Sequence, residues 1–213
     1  MTTLSTLDEL LLQACRQIAA AGLNASAAGN LSVRASQEGM LITPSGLPWQ
    51  ELEIDDLVSM QFDGSWSGAC PPSSEWRFHR DLYVSRPEFG AIIHTHAPFC
   101  TALACLHRTI PPFHYMIARF GGGDIRCARY ETYGTAALSD AVLEAMEGRN
   151  GCLLGNHGML VAGRDLRHAC ALAVELESLA EQYWRACQLG EPRLLSEDEI
   201  ARVLEKFASY GVR

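Results

Sequence analysis

The chain has 213 residues, of which 48% are hydrophobic and 20% are charged, and its 17 basic and 25 acidic side chains give a formal charge of −8. This length fits one domain that buries a core without disulfide or metal support, and the composition excludes collagen-like, coiled-coil and disordered chains. The acidic balance, without any run of clustered lysines or arginines, argues against a nucleic-acid partner or an acidic membrane surface.

The beginning of the chain lacks the basic segment, apolar segment and small-residue cleavage site of a secretory signal. No run of about 18 apolar residues is long enough to span a membrane. The eight cysteines form no Cys-x-x-Cys pair, and we expect them to be reduced thiols that pack as small hydrophobic side chains. Together these features predict a cytoplasmic protein without a membrane anchor.

The first predicted element is an amphipathic helix over residues 6–23, which opens with a capping box formed by Thr6 and Glu9. The texture of the sequence then changes to short β-type runs separated by glycine, proline and serine. These runs lie at 31–34, 40–43 and 57–61. The pattern predicts a sheet with tight turns.

A second helix is predicted after Ser73 or Ser74, either of which is a suitable N-cap, and it ends before Pro87. An apolar strand at 91–96 and a short helix at 99–106 follow it. The chain therefore alternates between helices and strands in this region.

Two short apolar strands, 152–155 and 159–162, flank a hairpin-like turn at 156–158. A long helix over 165–189, capped by Asp165, follows the strands. A last helix at 195–210 is capped by Ser196. No repeat, low-complexity tract or linker divides the chain, and this order of elements predicts a single three-layer α/β/α domain over residues 1–213.

Three histidines are the strongest candidates for chemistry. His94 and His96 end an apolar strand, and side chains two residues apart on a strand point to the same face. The hairpin turn supplies His157 as a third imidazole, and three histidines with an open position are typical of a catalytic zinc site. The residues alone leave open whether Glu75, near the start of a helix, is a fourth ligand or a general base.

Three loops of small residues form a second candidate group. Each offers backbone N–H groups, hydroxyls or an amide near a strand end or a helix start, which is how a phosphate is bound without a P-loop. The loops are Gly29-Asn30, Ser45-Gly46 and Ser73-Ser74. Beside a metal site, they indicate a small phosphorylated substrate.

Two further side chains are open to more than one interpretation. His79 lies four residues after Glu75 on the same helical face, where it is either a partner of that carboxylate or a surface or core histidine. Tyr115 offers a phenol that is able to act as an acid, although its local sequence does not single it out.

Several motifs occur in order over nearly the whole chain. They are Gly29-Asn-Leu-Ser-Val-Arg34, Leu41-Ile-Thr-Pro-Ser-Gly46, Pro72-Ser-Ser-Glu-Trp-Arg-Phe-His79, Ile93-His-Thr-His96, His114-Tyr-Met-Ile117, Asn156-His-Gly158 and Leu204-Glu-Lys-Phe-Ala-Ser-Tyr-Gly-Val-Arg213. With these motifs the chain resembles the class II aldolase/adducin family. The resemblance implies the α/β fold of that family, with a mixed, largely antiparallel sheet.

The resemblance also implies a zinc ion held by His94, His96 and His157. Glu75 would be a further ligand that substrate displaces and that then works as an acid and base. The phosphate would bind at Gly29, Asn30, Ser45, Gly46, Ser73 and Ser74. Related pentulose-phosphate epimerases carry an aspartate at the position of Glu75, so this glutamate favours the aldolases.

Three tyrosines take roles from the same resemblance. Tyr115 matches a tyrosine that donates a proton to the aldehyde oxygen from a neighbouring subunit, which implies a homotetramer with sites between subunits. Tyr210 matches a C-terminal residue that closes over the substrate. Tyr133 is assigned to the same closing surface, although Tyr133 and Asn156 stand where similar members tend to carry Phe and His.

The implied activity is the reversible cleavage of a 1-phosphorylated ketose to dihydroxyacetone phosphate and an aldehyde. The ketose would be L-fuculose 1-phosphate or a 5-deoxypentulose 1-phosphate such as 5-deoxyribulose 1-phosphate. The alternatives are a sugar-phosphate dehydratase, decarboxylase or epimerase with the same metal, and a non-catalytic adducin-like interaction domain. Only the aldolase releases dihydroxyacetone phosphate, so the product distinguishes these functions.

Overall fold

The computed structural model describes residues 6–25 and 27–209, with side chains through residue 207. Within this part of the chain there are six α-helices, eight strands and two short 3-10 helices, Ile54–Asp56 and Tyr115–Phe120. The helices are α1 Leu7–Ala20, α2 Trp76–Ser85, α3 Pro98–Ala104, α4 Ala136–Ala145, α5 Leu166–Leu189 and α6 Glu197–Ser209. The strands are β1 Asn30–Arg34, β2 Gly39–Ile42, β3 Val58–Gln61, β4 Trp66–Ser67, β5 Ala91–Thr95, β6 Cys127–Ala128, β7 Gly151–Leu154 and β8 Gly158–Gly163.

The predicted helix starts are largely confirmed. Thr6 and Glu9 form the capping box of α1, the Asp165 side chain accepts from the backbone N–H of His168 at the start of α5, and Ser196 accepts from Glu199 N at 3.2 Å. These side chains accept hydrogen bonds from backbone N–H groups that have no partner within the helix.

Three details differ from the prediction. The helix predicted to start after Ser73 or Ser74 begins later, at Trp76, so that Glu75 occupies the N-cap position of α2 without a side-chain capping bond. The Ser73 hydroxyl instead accepts from Glu75 N at 3.3 Å. The helix α4 and the short strands β4 and β6 were not predicted from the sequence.

All eight strands form one sheet in the order β4-β3-β2-β1-β5-β8-β7-β6. Every neighbouring pair is antiparallel except β6 and β7, which are parallel. The strand β5 lies at the centre, where Asn30 of β1 pairs with His94 and Leu160 of β8 pairs with the same histidine. The register therefore places Asn30 beside His94.

Hydrophobic side chains cover both faces of the sheet. Along β5, Ile93 belongs to a core shared with α1, α3 and α5, whereas Ile92 belongs to a core shared with α2 and α4. This alternation follows from the two-residue period of a strand, and it buries all five residues of β5. The predicted α/β class, with helices on both sides of a mixed, largely antiparallel sheet, is confirmed.

The eight cysteines are all free thiols. Burial raises the pKa of Cys15, Cys100 and Cys152 well above the usual range of a thiol. These three side chains therefore act as small hydrophobic groups, as predicted. In the part of the chain that is described, no helix combines the length and apolar character needed to cross a membrane.

Candidate metal and substrate site

The three predicted histidines converge on one point. His94 is the fourth residue of β5, His96 follows the end of that strand, and His157 lies in the turn between β7 and β8. Their rings pack edge to face, with centroids 4.6–5.1 Å apart. One nitrogen from each ring lies within 4.8 Å of the others. Among the described residues, no other group of three or more His, Cys, Asp or Glu side chains converges in this way.

The turn that carries His157 depends on a close approach between strands. A Cβ atom added to Gly158 would lie 2.4 Å from the Thr95 carbonyl oxygen, so no larger residue fits there. Asn156, on the other side of His157, adopts a left-handed conformation with φ of 52°. His107 Nε2 and Asn156 Oδ1 are 2.6 Å apart, and this hydrogen bond holds the turn.

A hydrogen bond sets the orientation and tautomer of His94. Its Nδ1 lies 2.8 Å from the Met159 carbonyl oxygen, which can only accept, so Nδ1 carries the proton. The Nε2 atom therefore presents a lone pair toward the other two histidines. A backbone carbonyl in this position is the usual partner of a metal-binding imidazole.

The Glu75 carboxylate completes the group. Its Oε2 lies 3.3 Å from His94 Nε2, and its Oε1 lies 3.4 Å from His157 Nε2. The side-chain amide of Asn30 donates to Oε2 at 2.9 Å. The carboxylate is buried, with only 4% of the residue exposed.

The electrostatics keep Glu75 charged and keep His96 and His157 neutral. Burial raises the pKa of Glu75, but the imidazoles of His94 and His157 and the amide of Asn30 outweigh it and hold this pKa at about 2. Burial, together with the neighbouring His94, lowers the pKa of His96 and of His157 to about 4. Near neutral pH the site therefore combines one carboxylate with imidazoles that have free lone pairs.

These residues fit a divalent metal ion. His94 Nε2, His96 Nε2 and Glu75 Oε1 are buried and have no hydrogen-bond partner among the described residues. Buried polar atoms without a partner are costly, and a cation would satisfy all three. Imidazole nitrogens with one carboxylate form the donor set of zinc and of similar transition metals.

A cavity of about 420 Å³ opens above the histidines and brings the three predicted loops together. Glu75, His96 and His157 form part of its wall. The small-residue loops contribute Gly29, Ser45, Gly46, Ser73 and Ser74. Five of the predicted phosphate residues therefore face the same space as Glu75, His96 and His157.

Backbone contacts hold these loops in place. Ser73 N donates to the Thr43 carbonyl at 3.1 Å, and Ser45 N donates to the Pro71 carbonyl at 3.2 Å. A Cβ atom added to Gly29 would lie 2.8 Å from the His94 carbonyl oxygen, so this loop packs directly on the histidine strand. Gly46 has φ of 76°, a conformation that favours glycine.

Asn30 is the exception among the predicted phosphate residues. Its side-chain amide bonds to Glu75 and to His79, and Asn30 is not among the described residues that line the cavity. The register of β1 against β5 brings it beneath the carboxylate.

A further part of the cavity wall comes from the segment after β6. Tyr130, Glu131 and Tyr133 of this segment line the cavity, with Tyr133 68% exposed, and Asn156 lines it from the turn of His157. Sequence reasoning assigned no role to Tyr130 or Glu131, because this segment has no regular structure or local motif that marks it. The backbone places it here through a close approach of Gly134 to the Ser74 carbonyl oxygen.

Tyr115 lies away from this cavity lining. Tyr115 is absent from the described residues that line the cavity; it begins the second 3-10 helix, is 51% exposed and stacks on Phe207 of α6 with ring centroids 6.4 Å apart. Tyr210 lies outside the described residues.

Comparison with known proteins agrees with this site. Residues 9–184 match the model of the class II aldolase and adducin N-terminal domain. The chain is 57% identical over 201 residues to a 5-methylthioribulose-1-phosphate/5-deoxyribulose-1-phosphate aldolase of Rhodospirillum rubrum, covering 94% of this chain and 90% of that one. It is 45% identical over 204 residues to an L-fuculose phosphate aldolase of Escherichia coli, covering 95% and 94%.

A solved structure has the same fold. An L-fuculose 1-phosphate aldolase superposes with a TM-score of 0.92 at 38% sequence identity, covering 97% of this chain and 98% of the other. The family predicted from the sequence motifs is confirmed. The chain belongs to the class II aldolase and adducin family and, within it, to the aldolases.

Proposed function

We propose that this protein is a zinc-dependent aldolase that reversibly cleaves a 1-phosphorylated ketose to dihydroxyacetone phosphate and an aldehyde. The first choice of substrate is a 5-deoxypentulose 1-phosphate, either 5-methylthioribulose 1-phosphate or 5-deoxyribulose 1-phosphate. The observation that carries the proposal is one cavity in which a three-histidine group, a buried carboxylate and three small-residue loops meet.

The metal ligands of the proposal are His94, His96 and His157, with Glu75 beside them. A bound divalent ion would supply positive charge that stabilises the negative charge developing on the ketose oxygens when the C3–C4 bond breaks. Three histidines with a displaceable fourth position favour zinc for this role. The chain's own residues then have to move two protons.

Glu75 moves the first proton. In the direction of synthesis its carboxylate takes a proton from C3 of dihydroxyacetone phosphate, and in cleavage it returns that proton to C3. Its pKa, held at about 2, keeps it in the basic form near neutral pH. Its Oε1, which has no hydrogen-bond partner among the described residues, is free to accept the proton.

Tyr115 moves the second proton, from a neighbouring subunit. As the C3–C4 bond forms, its phenol gives a proton to the aldehyde oxygen, and in cleavage it takes the proton of the C4 hydroxyl. One proton leaves C3 and one reaches the C4 oxygen, so the step balances. Tyr115 is exposed and is not among the described residues that line its own cavity, which supports an oligomer in which another copy completes each site. We propose the homotetramer that the family resemblance implies.

The small-residue loops hold the substrate phosphate. Their backbone N–H groups and hydroxyls line the cavity beside the metal residues, with Gly29, Ser45, Gly46, Ser73 and Ser74 as the binding positions. Tyr133 on the cavity wall and the C-terminal Tyr210 would close over the substrate. No nucleic-acid or membrane partner is part of this function.

The names of the similar proteins and their sequence identities to this chain support the ranking of pentulose phosphates above L-fuculose phosphate. The relative at 57% identity is named for the two pentulose phosphates, and the relative at 45% identity is named for L-fuculose phosphate. The metal ligands do not separate these substrates, since all of them share the phosphorylated C1–C3 unit. Tyr130, Tyr133 and Asn156 also line this cavity, and they are the candidates to contact the end that differs.

We propose that residues 1–213 form one domain that works in the cytoplasm. Both hydrophobic cores pack on the same eight-stranded sheet within the described part of the chain. The free thiols are typical of proteins from a reducing compartment.

The test is to incubate zinc-loaded protein with 1-phosphates of 5-methylthioribulose, 5-deoxyribulose, fuculose and rhamnulose. Release of dihydroxyacetone phosphate is followed by a coupled NADH assay. We expect release from the pentulose phosphates at the highest kcat/KM, abolished by a chelator and restored by zinc. Conversion without dihydroxyacetone phosphate would instead favour a dehydratase, decarboxylase or epimerase, and no conversion would favour an interaction domain.

A further inference from the structure

A chain of buried hydrogen bonds leads away from the proposed catalytic carboxylate. Asn30 Nδ2 donates to Glu75 Oε2 at 2.9 Å, and Asn30 Oδ1 lies 2.6 Å from His79 Nε2. On the other side of the ring, His79 Nδ1 lies 2.7 Å from the Ser32 hydroxyl, which lies 2.9 Å from the Tyr83 hydroxyl. The five side chains come from β1, α2 and the N-cap of α2.

Every member of this chain is buried. The exposed fractions are 0% for His79 and Ser32, 1% for Asn30 and Tyr83, and 4% for Glu75. Bulk water does not reach groups this deep, so each polar atom depends on the partners named above. A buried polar network rigidifies the structure only when every member has its hydrogen-bond partners, and the loss of one bond leaves a buried polar group unpaired.

The carboxylate end of the chain sets the donor and acceptor of every hydrogen bond in it. The ionised Glu75 carboxylate accepts only, so the Asn30 amide must turn its NH2 group toward Oε2 and its oxygen toward His79. That oxygen also accepts only, so His79 must carry its proton on Nε2. His79 Nδ1 then accepts from Ser32, and the Ser32 hydroxyl accepts from Tyr83.

The opposite arrangement fails at the carboxylate. With the proton on Nδ1, His79 Nε2 would accept from the Asn30 amide, and the amide oxygen would face Glu75 Oε2. Two acceptors would then meet inside the protein without a proton between them. Burial lowers the pKa of His79 to about 3, which agrees with a neutral ring that has one proton.

We propose that His79 is a positioning residue, which holds the Asn30 amide so that it donates to Glu75 Oε2 and leaves Glu75 Oε1 as the oxygen that exchanges the proton with substrate. The inference rests on the proposed function of Glu75. Of the two carboxylate oxygens, Oε1 has no hydrogen-bond partner among the described residues, while Oε2 is engaged by Asn30. Ser32 donates to His79 Nδ1 and Tyr83 donates to Ser32, so both residues favour the His79 tautomer with its proton on Nε2.

The first test compares two substitutions at the same position. His79→Gln keeps an N–H donor for Asn30, whereas His79→Leu fills similar space without one. The readouts are metal content, KM for dihydroxyacetone phosphate, and exchange of its C3 proton with deuterated solvent in the absence of aldehyde, which isolates the step of Glu75. Residues that orient groups at a metal site change activity by about 10- to 100-fold.

We expect His79→Leu to lower the exchange rate and kcat by about 10- to 100-fold while metal content stays the same and KM changes less than about threefold. His79→Gln should recover most of the loss. An exchange rate in His79→Leu equal to that of the wild type would overturn the inference. If the wild type neither exchanges the proton nor cleaves any ketose phosphate, the proposed function fails first, and the inference fails with it.

The second test leaves the ring in place. Ser32→Ala removes the hydroxyl that donates to His79 Nδ1, and Ser139→Ala is its matched control, a serine 1% exposed whose hydroxyl bonds to Asp81 on the other side of α2. Nitrogen-15 NMR, with the His79 signal assigned by its absence from His79→Gln, reports which nitrogen carries the proton without any substrate.

We expect the Nε2–H form in the wild type and in Ser139→Ala, and a mixture of both tautomers in Ser32→Ala together with a smaller loss of exchange rate than in His79→Leu. This variant keeps the inference testable if His79→Leu does not fold. A wild-type signal from the Nδ1–H form would overturn the proposal, because Asn30 would then present its oxygen to Glu75.

Discussion

Glu177 of α5 caps another helix, and its removal gives the sharpest stability prediction of the structure. Its carboxylate accepts from Phe99 N at 2.8 Å and from Cys100 N at 2.9 Å. The helix α3 starts with Pro98, which has no N–H, and Thr101 N already bonds to the Ala97 carbonyl. Glu177 therefore satisfies the backbone donors that the first turn leaves free.

The magnitude follows from these two bonds. A hydrogen bond to a charged group contributes about 1.5–3 kcal/mol, and Glu177 is only 9% exposed, so water replaces the bonds incompletely. We expect Glu177→Ala to lower the free energy of unfolding by about 3 kcal/mol, near the lower sum of the two bonds because truncation admits some water. In a chain of this length that corresponds to a fall in Tm of about 6–12 °C.

The assay is thermal unfolding followed by circular dichroism, with Glu175→Ala as the control. Glu175 lies on the same helix and pairs with Arg119 at 2.9 Å in a partly exposed ion pair, which contributes about 0–1 kcal/mol. Its loss should shift Tm by less than about 4 °C. If Glu177→Ala unfolds at the temperature of this control, the interhelix cap does not stabilise the fold as argued.

Four further predictions concern the site. Gly158→Ala should lower metal content more than tenfold relative to wild type, because the added Cβ would lie 2.4 Å from the Thr95 carbonyl oxygen and displace the turn of His157; unchanged metal by mass spectrometry would contradict this. Since the pKa values of His96 and His157 in the metal-free site lie at about 4, below the value of about 6.5 for a free histidine, the affinity for the metal should change little from these rings as the pH falls from 7 to about 5 and should decline as the pH falls through about 4, as measured by metal titration. In the metal-free protein the same shifts make the unfolded state bind more protons below about pH 6.5, so Tm should fall with pH between about 6.5 and 4, and a flat profile would be evidence against neutral buried rings. Mixed and reassembled Glu75→Gln and Tyr115→Phe subunits, each nearly inactive alone, should recover activity in about a quarter of the sites if a neighbouring copy supplies the tyrosine, and no recovery would place both groups on one chain.

The sequence predicted that His94 and His96 converge because their spacing is local. His94 and His96 are two residues apart in an apolar segment, and a strand places residues at this spacing on the same face. The helix starts at Thr6 and Asp165 were also predicted, since a capping side chain lies within three residues of the N–H that it binds.

The segment between α3 and β7 was harder to predict. The helix α4 carries apolar residues on most of its surface, in the sequence AALSDAVLEA, so that no helical period is visible. The strand β6 has only two residues and exists through its pairing with β7. Tyr130 and Glu131 reach the cavity from this segment, and no local pattern marks them.

The sequence by itself determined the family, the α/β class and the residue types of the site, because each depends on short-range period, spacing or motif. Only the tertiary structure decided which partners those residues have. The pairing of β1 with β5 places Asn30 beneath Glu75, and the packing of α2 places His79 against Asn30, over 45 and 49 residues of sequence separation. The donor and acceptor of a hydrogen bond are set by the atoms in contact, and these atoms meet only when β1 pairs with β5 and α2 packs on the sheet.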